Sequence, residues 1–168
     1  VGLTDFPDVP GLSLRSAEAG DQAFLDVLYH ATRADLQLAG ADPALIADLI
    51  KMQQRLHEHG QRSAFPHARP MLFEHAGQTL GRVVVDTDLQ HGMRVVDIAL
   101  LPQARNRGHG GAVLRALQRQ AAALQLPLRL CVARDNAGAR RLYRALGFEL
   151  ETAGEMTDEL VWRAERAA

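Results

Sequence analysis

The chain has 168 residues, 47% of them hydrophobic and 23% charged, with a formal net charge of −1. That balance excludes a disordered chain and a broad cationic face for nucleic acid, and the length suits a single domain over residues 1–168. A single cysteine, Cys131, excludes an intrachain disulfide and a multi-cysteine zinc site.

The elements follow in chain order. Leu12 to Arg15 alternates and predicts a short strand. Asp21 is placed to cap a helix that turns Phe24, Leu25, Leu28 and Ala31 inward. Asp42-Pro43 opens a second helix, with proline at its first position. Leu45, Leu49, Met52 and Leu56 predict its buried face, and Gly60 its end. Arg69 to His75 and Gln78 to Asp86 flank the turn pair Ala76-Gly77 and predict a hairpin. Arg94 to Leu101 continues the meander after His91-Gly92. A long helix is predicted over 108–125, then a short buried strand, Leu128 to Val132, in which Cys131 reads as an inert core thiol. Asn136 to Leu146 predicts a helix capped by Gly147, with Ala139, Leu142 and Leu146 as its packing face. Strands Phe148 to Ala153 and Glu159 to Ala164 finish the chain, with Trp162 packing the last one. This order predicts a mixed, mostly antiparallel α/β sheet with one parallel pairing.

Two segments carry chemistry. Arg105-Asn106-Arg107-Gly108-His109-Gly110-Gly111 follows a strand and opens a helix. A helix start presents free N–H groups and a partial positive charge, so it suits a phosphate. Glycine lets backbone approach a ligand closely, and Arg105 and Arg107 add full charges. Three glycines cost about 1 kcal/mol each in helix propensity, a cost that asks for a reason. The second segment runs from Asn136 to Phe148. It begins with a good cap and holds Tyr143, one of only two tyrosines.

Together these segments resemble the GNAT family of acyl-CoA-dependent N-acyltransferases. Arg105-x-x-Gly108-x-Gly110 matches that family's first signature, and Gly111 is an extra glycine. Asn136-x-x-Ala139-x-x-Leu142-Tyr143-x-x-x-Gly147-Phe148 matches its second. The resemblance covers roughly residues 80 to 165. It implies a GNAT-like fold and transfer of an acetyl group from acetyl-CoA, as co-substrate, to an amine. It further implies that the loop with Arg105, Arg107, Gly108, His109, Gly110 and Gly111 holds the pyrophosphate. The backbone at Ile98 and Leu100 would meet the pantetheine arm and thioester, and Asn136 would reach the arm from the other side. Tyr143 matches the residue that protonates the leaving thiolate.

The attacking amine must also lose a proton. Asp97 is the first candidate for that base, because an acid in so apolar a strand is expected to face a cleft. Glu74, Asp86 and His75 follow, with a water chain as the remaining route. No metal is called for: His57-Glu58-His59 lacks a shared helix face and reads as solvated helix end. Arg140-Arg141 reads as a solvated face, although the layout that the resemblance implies sets Arg140 near the CoA entrance, where it could meet a phosphate.

The expected partner is a small-molecule or peptide amine acceptor, with neither nucleic acid nor membrane implied, and a homodimer is compatible with the sequence. No leader pattern opens the chain, and a cytoplasmic location is expected. Two other classes stay open: a non-catalytic acyl-CoA-binding module, and a sheet-edge interaction domain without ligand.

Overall fold

The computed structural model describes residues 8–33, 36 and 40–165; the N-terminal stretch judged free of a leader pattern lies outside them. Seven strands form one sheet: β1 (Ser13–Ser16), β2 (Arg69–His75), β3 (Gln78–Asp88), β4 (Gly92–Leu100), β5 (Leu128–Ala133), β6 (Glu149–Ala153) and β7 (Thr157–Trp162). Their spatial order is β1-β2-β3-β4-β5-β7-β6. Only β4 and β5 run parallel. Helices among the described residues include α1 (Gln22–Ala31), α2 (Pro43–Ala64), α3 (His109–Ala123) and α4 (Ala137–Ala145). Among the described residues, no helix is long and apolar enough to cross a membrane.

Alternation along the strands divides the sheet into two faces. Phe73, Val83, Val95 and Leu130 join Val113, Leu114 and Leu117 of α3 and Tyr143 of α4 in the main core. Leu72 and Val84, buried on the other face, lie on the side of α1 and α2. Buried Gln118 donates to the Leu146 carbonyl at 2.8 Å and ties α3 to the end of α4. The β2–β3 hairpin turns through Ala76 and Gly77, both with positive φ, as a two-residue primed turn requires.

Four local expectations are corrected. Leu45, Leu49, Met52 and Leu56 are exposed, while Ile50 and Gln54 form the buried face of α2. A polar bridge accompanies this rotation: Gln54 Nε2 donates to Asp26 at 2.9 Å and to Glu58 at 3.1 Å, joining α2 to α1. Gly60 does not end α2, which runs to Ala64 and stops where Phe65 precedes Pro66. Asp21 precedes α1 without capping it, because its carboxylate accepts from Arg15 and from the backbone N–H of Glu18. Cys131 is exposed, since Leu130 and Val132 face the core and the residue between them faces away.

Candidate active site

The site begins at an irregularity in β4. Val84 pairs with Asp97 but Val85 pairs with Val95, so Val96 is an extra residue on β4. Such a bulge reverses which face the following side chains take. Met93 and Val95 face the core before it. After it, Ile98 lies opposite Val83 and Asp97 opposite Val84. Asp97 is thereby moved to the α1–α2 side, while Ile98 and Leu100 pack against the core as partly buried residues. Without the bulge, unbroken alternation from Met93 and Val95 would send Asp97 into the apolar core.

The parallel pairing of β4 with β5 ends at the same place. Its last pair is Val95–Leu130, and the two strands diverge beyond it. A cavity of about 180 Å³ opens between them, lined by Val96, Asp97, Ile98, Cys131, Asn136 and Tyr143 among others. The backbone of β4 beyond Val95 is left without a strand partner on that side. Asn136 stands at the cavity's end as the cap of α4, accepting from the Ala139 N–H at 3.1 Å.

Tyr143, rather than Leu142, belongs to the packing face of α4. Tyr143 is buried and Leu142 is exposed. The ring stacks edge-on against Phe148, with centroids 5.9 Å apart. Its hydroxyl makes no hydrogen bond with any described residue. Burial raises the phenol's pKa above its ordinary 10.0, and the negative charge of Asp97 raises it further.

A second cavity, of about 690 Å³, lies on the other side of Asp97. Tyr29 of α1, Thr32 and Arg33 just beyond its end, His57 of α2 and Arg82 of β3 line it, with Asp97, Ile98, Asp135 and Asn136. Arg82 Nη2 donates to Asp97 Oδ2 at 2.6 Å, and the buried Arg82 Nε has no partner. His57 is therefore a cavity residue as well as a helix-surface one; Gln61 contacts its Nε2 at 2.9 Å. Arg82 was not singled out from sequence. The available signal was an arginine directly before Val83-Val84-Val85.

At the end of β4, a short 3₁₀ turn (Pro102–Ala104) leads into the glycine-rich loop. Gly108 holds φ +84° and precedes α3, with no side chain capping the helix. The first-turn N–H groups at His109, Gly110 and Gly111 thus lack intrahelical partners. Arg107 is exposed. Arg105 folds back, its Nε donating to the Leu100 carbonyl at 3.1 Å. The His109 ring lies 5.6 Å from that of His75.

The remaining candidates sit elsewhere. Glu74 accepts from Arg15 at 2.8 Å. His75 contacts the Gly11 carbonyl. Neither they nor Asp86 line the two cavities. Arg140 is engaged by buried Asp158 at 2.5 Å rather than left open for a phosphate.

A mixed sheet opened between its two parallel strands, with an uncapped glycine-rich helix start beyond the opening, defines the acyl-CoA N-acyltransferase class of fold. Residues 30–148 match the acetyltransferase (GNAT) family, and the chain belongs to that family of acetyl-CoA-dependent N-acetyltransferases. Solved structures agree on the fold. The PaiA N-acetyltransferase of Thermoplasma acidophilum, in complex with coenzyme A, superposes with a TM-score of 0.67 at 13% identity, over 91% of this chain and 99% of that one. The spermidine N-acetyltransferase of Vibrio cholerae, in complex with CoA and spermine, gives 0.59 at 22% identity, over 90% and 93%. The ribosomal L7/L12 α-N-protein acetyltransferase RimL, in complex with CoA, gives 0.64 at 17%, over 94% and 97%. No curated protein matches the sequence.

Proposed function

We propose that this protein transfers an acetyl group from acetyl-CoA to the primary amine of a small molecule or of a peptide N-terminus. One observation carries the reading. The narrow cleft between β4 and β5 and the larger cavity under α1 and α2 meet at Asp97, Ile98 and Asn136. A thioester arm in the first and an amine in the second would meet at β4.

In this reading the N–H groups of His109, Gly110 and Gly111 receive the pyrophosphate, with Arg105 and Arg107 beside it. The glycines support this. A Cβ on Gly110 would meet only Leu100 at 3.5 Å, and one on Gly111 only Arg115 and Leu142 at 3.5 and 3.6 Å. The protein's own packing thus has room for alanine at both positions, and close approach by a ligand supplies the missing reason for glycine. The backbone of Ile98 and Leu100 pairs with the arm, and the Leu100 N–H stabilises the tetrahedral oxyanion. Asn136 bounds the arm from the β5 side. Asp97 accepts the proton of the incoming ammonium through the oxygen that Arg82 leaves open. Tyr143 donates its proton to the departing thiolate, and its raised pKa keeps that proton in place at neutral pH.

Among the described residues that line the acceptor cavity, Arg33 and Arg82 stand against Asp97 and Asp135. A polyamine would find one carboxylate already paired with Arg82, so a monoamine or a zwitterion suits these walls better.

The test combines calorimetry of CoA binding with thiol release from acetyl-CoA across a panel of primary amines, polyamines and short peptides. Binding with amine-dependent release is expected. Binding without release from any amine would make the chain a binding module, and absence of binding would remove the site altogether.

A further inference from the structure

The face of α2 turned away from the fold is unaccounted for by acetyl transfer. Leu45, Leu49, Met52 and Leu56 are 65%, 37%, 53% and 64% exposed. They leave roughly 400 Å² of apolar side chain uncovered on one helix, as much as the largest patch on an ordinary monomer. Exposed Asp42 and His59 extend the same stripe at its two ends. The steps between these six positions alternate three and four residues, the spacing of a coiled-coil seam rather than of a helix laid on a sheet.

The stripe is also a palindrome. Two copies of α2 laid antiparallel, with a twofold axis passing between Ile50 and Lys51, set Leu45 against Leu56 and Leu49 against Met52. The end layers then pair Asp42 with His59 twice, acid against imidazole. Asp48 and Arg55 flank the seam on one side, neither having an ion-pair partner within the described chain, and each comes within one helical turn of its opposite on the other copy. The parallel arrangement sets Asp42 against Asp42 and His59 against His59, and brings Asp48 and Arg55 no opposite charge.

We infer that α2 is a homodimerisation surface, an antiparallel helix pair formed with a second copy of this chain. With its polar flanks the pair buries on the order of 1,200 Å² in total, the lower edge of the size of a specific interface. The inference is independent of the transferase reading. His57, on the opposite side of α2, links the two in space: dimerisation would hold the helix that walls the acceptor cavity.

Sedimentation velocity on the full chain, from about 1 to about 300 µM, tests it. A concentration-dependent monomer–dimer equilibrium is expected. Met52→Lys should weaken it at least 100-fold with Tm unchanged, because Met52 touches solvent rather than core. Asp48→Arg alone and Arg55→Asp alone should each weaken it about tenfold, as each opposes like charges twice across the axis. The combined exchange should return the constant to within about threefold of the original. A chain monomeric throughout this range would overturn the inference and assign the stripe to another occupant. So would a dimer indifferent to Met52→Lys, or a double exchange that restores nothing.

Discussion

Tyr143→Phe separates proton donation from packing by removing a single oxygen. The ring is buried and its edge-on contact with Phe148 survives the change. The hydroxyl makes no hydrogen bond with a described residue, so its loss leaves no donor or acceptor orphaned. Stability near neutral pH should therefore move by less than about 1 kcal/mol. The catalytic effect is of another size. If the hydroxyl protonates the leaving thiolate, kcat should fall on the order of 10²-fold, which is about 2.7 kcal/mol of transition-state stabilisation, while CoA affinity stays level. A second signature appears in alkali. The folded state holds the phenolic proton more tightly than the unfolded chain does, so the contribution of Tyr143 to stability is complete below about pH 10 and is lost as pH rises through the folded pKa. The Phe variant lacks this decline and should be the more stable of the two in strong alkali. Steady-state kinetics with thiol detection and melts from neutral to alkaline pH read both effects. A Phe variant of full activity would refute the acid role and leave Tyr143 a packing residue.

Three further outcomes are expected. Gly110→Asp places a carboxylate at the uncapped start of α3, where its Cβ meets only an ordinary contact with Leu100; CoA affinity should be nearly abolished with Tm retained, and unchanged affinity by calorimetry would remove the loop assignment. Asp97→Asn should flatten the rise of kcat/KM with pH, and it should also lower stability by roughly 1–3 kcal/mol, because Arg82 loses its 2.6 Å carboxylate partner while its buried Nε is already unpartnered; an active variant with an unaltered profile would move the base elsewhere. Asp21, held by Arg15 and the Glu18 N–H, has its pKa lowered from 3.8 to about 2. Its contribution to stability is present above about pH 4 and lost as pH falls toward 2, so Asp21→Asn should be less stable at neutral pH and show a flatter acid melt profile over that window.

Element ends were legible where local chemistry alone decides them, but not at Asp21, whose carboxylate Arg15 engages, nor at Gly60, which α2 runs past to Ala64. Proline after Asp42 starts α2, the positive φ at Gly77 turns the hairpin, and Gly147 follows α4 with φ +80°. The glycine-rich loop was likewise legible, since strand end, turn and helix start lie within a dozen contiguous residues. Which face each element buries was decided by its neighbours. The stripe of Leu45 and Leu56 was a sound amphipathic signal, yet Gln54 and its contact with Asp26 accompany the packing of the opposite side of α2 on the fold. Leu142 and Tyr143 differ by 100° of helix rotation, and only the docking of α4 beside Phe148 selects the tyrosine for burial. The direction of Asp97 depends on one extra residue in β4, a feature that appears only when register against β3 is known. The larger cavity is the furthest from sequence of all: Tyr29, His57, Arg82 and Asp97 come from four elements, and no local pattern encodes the folding that gathers them.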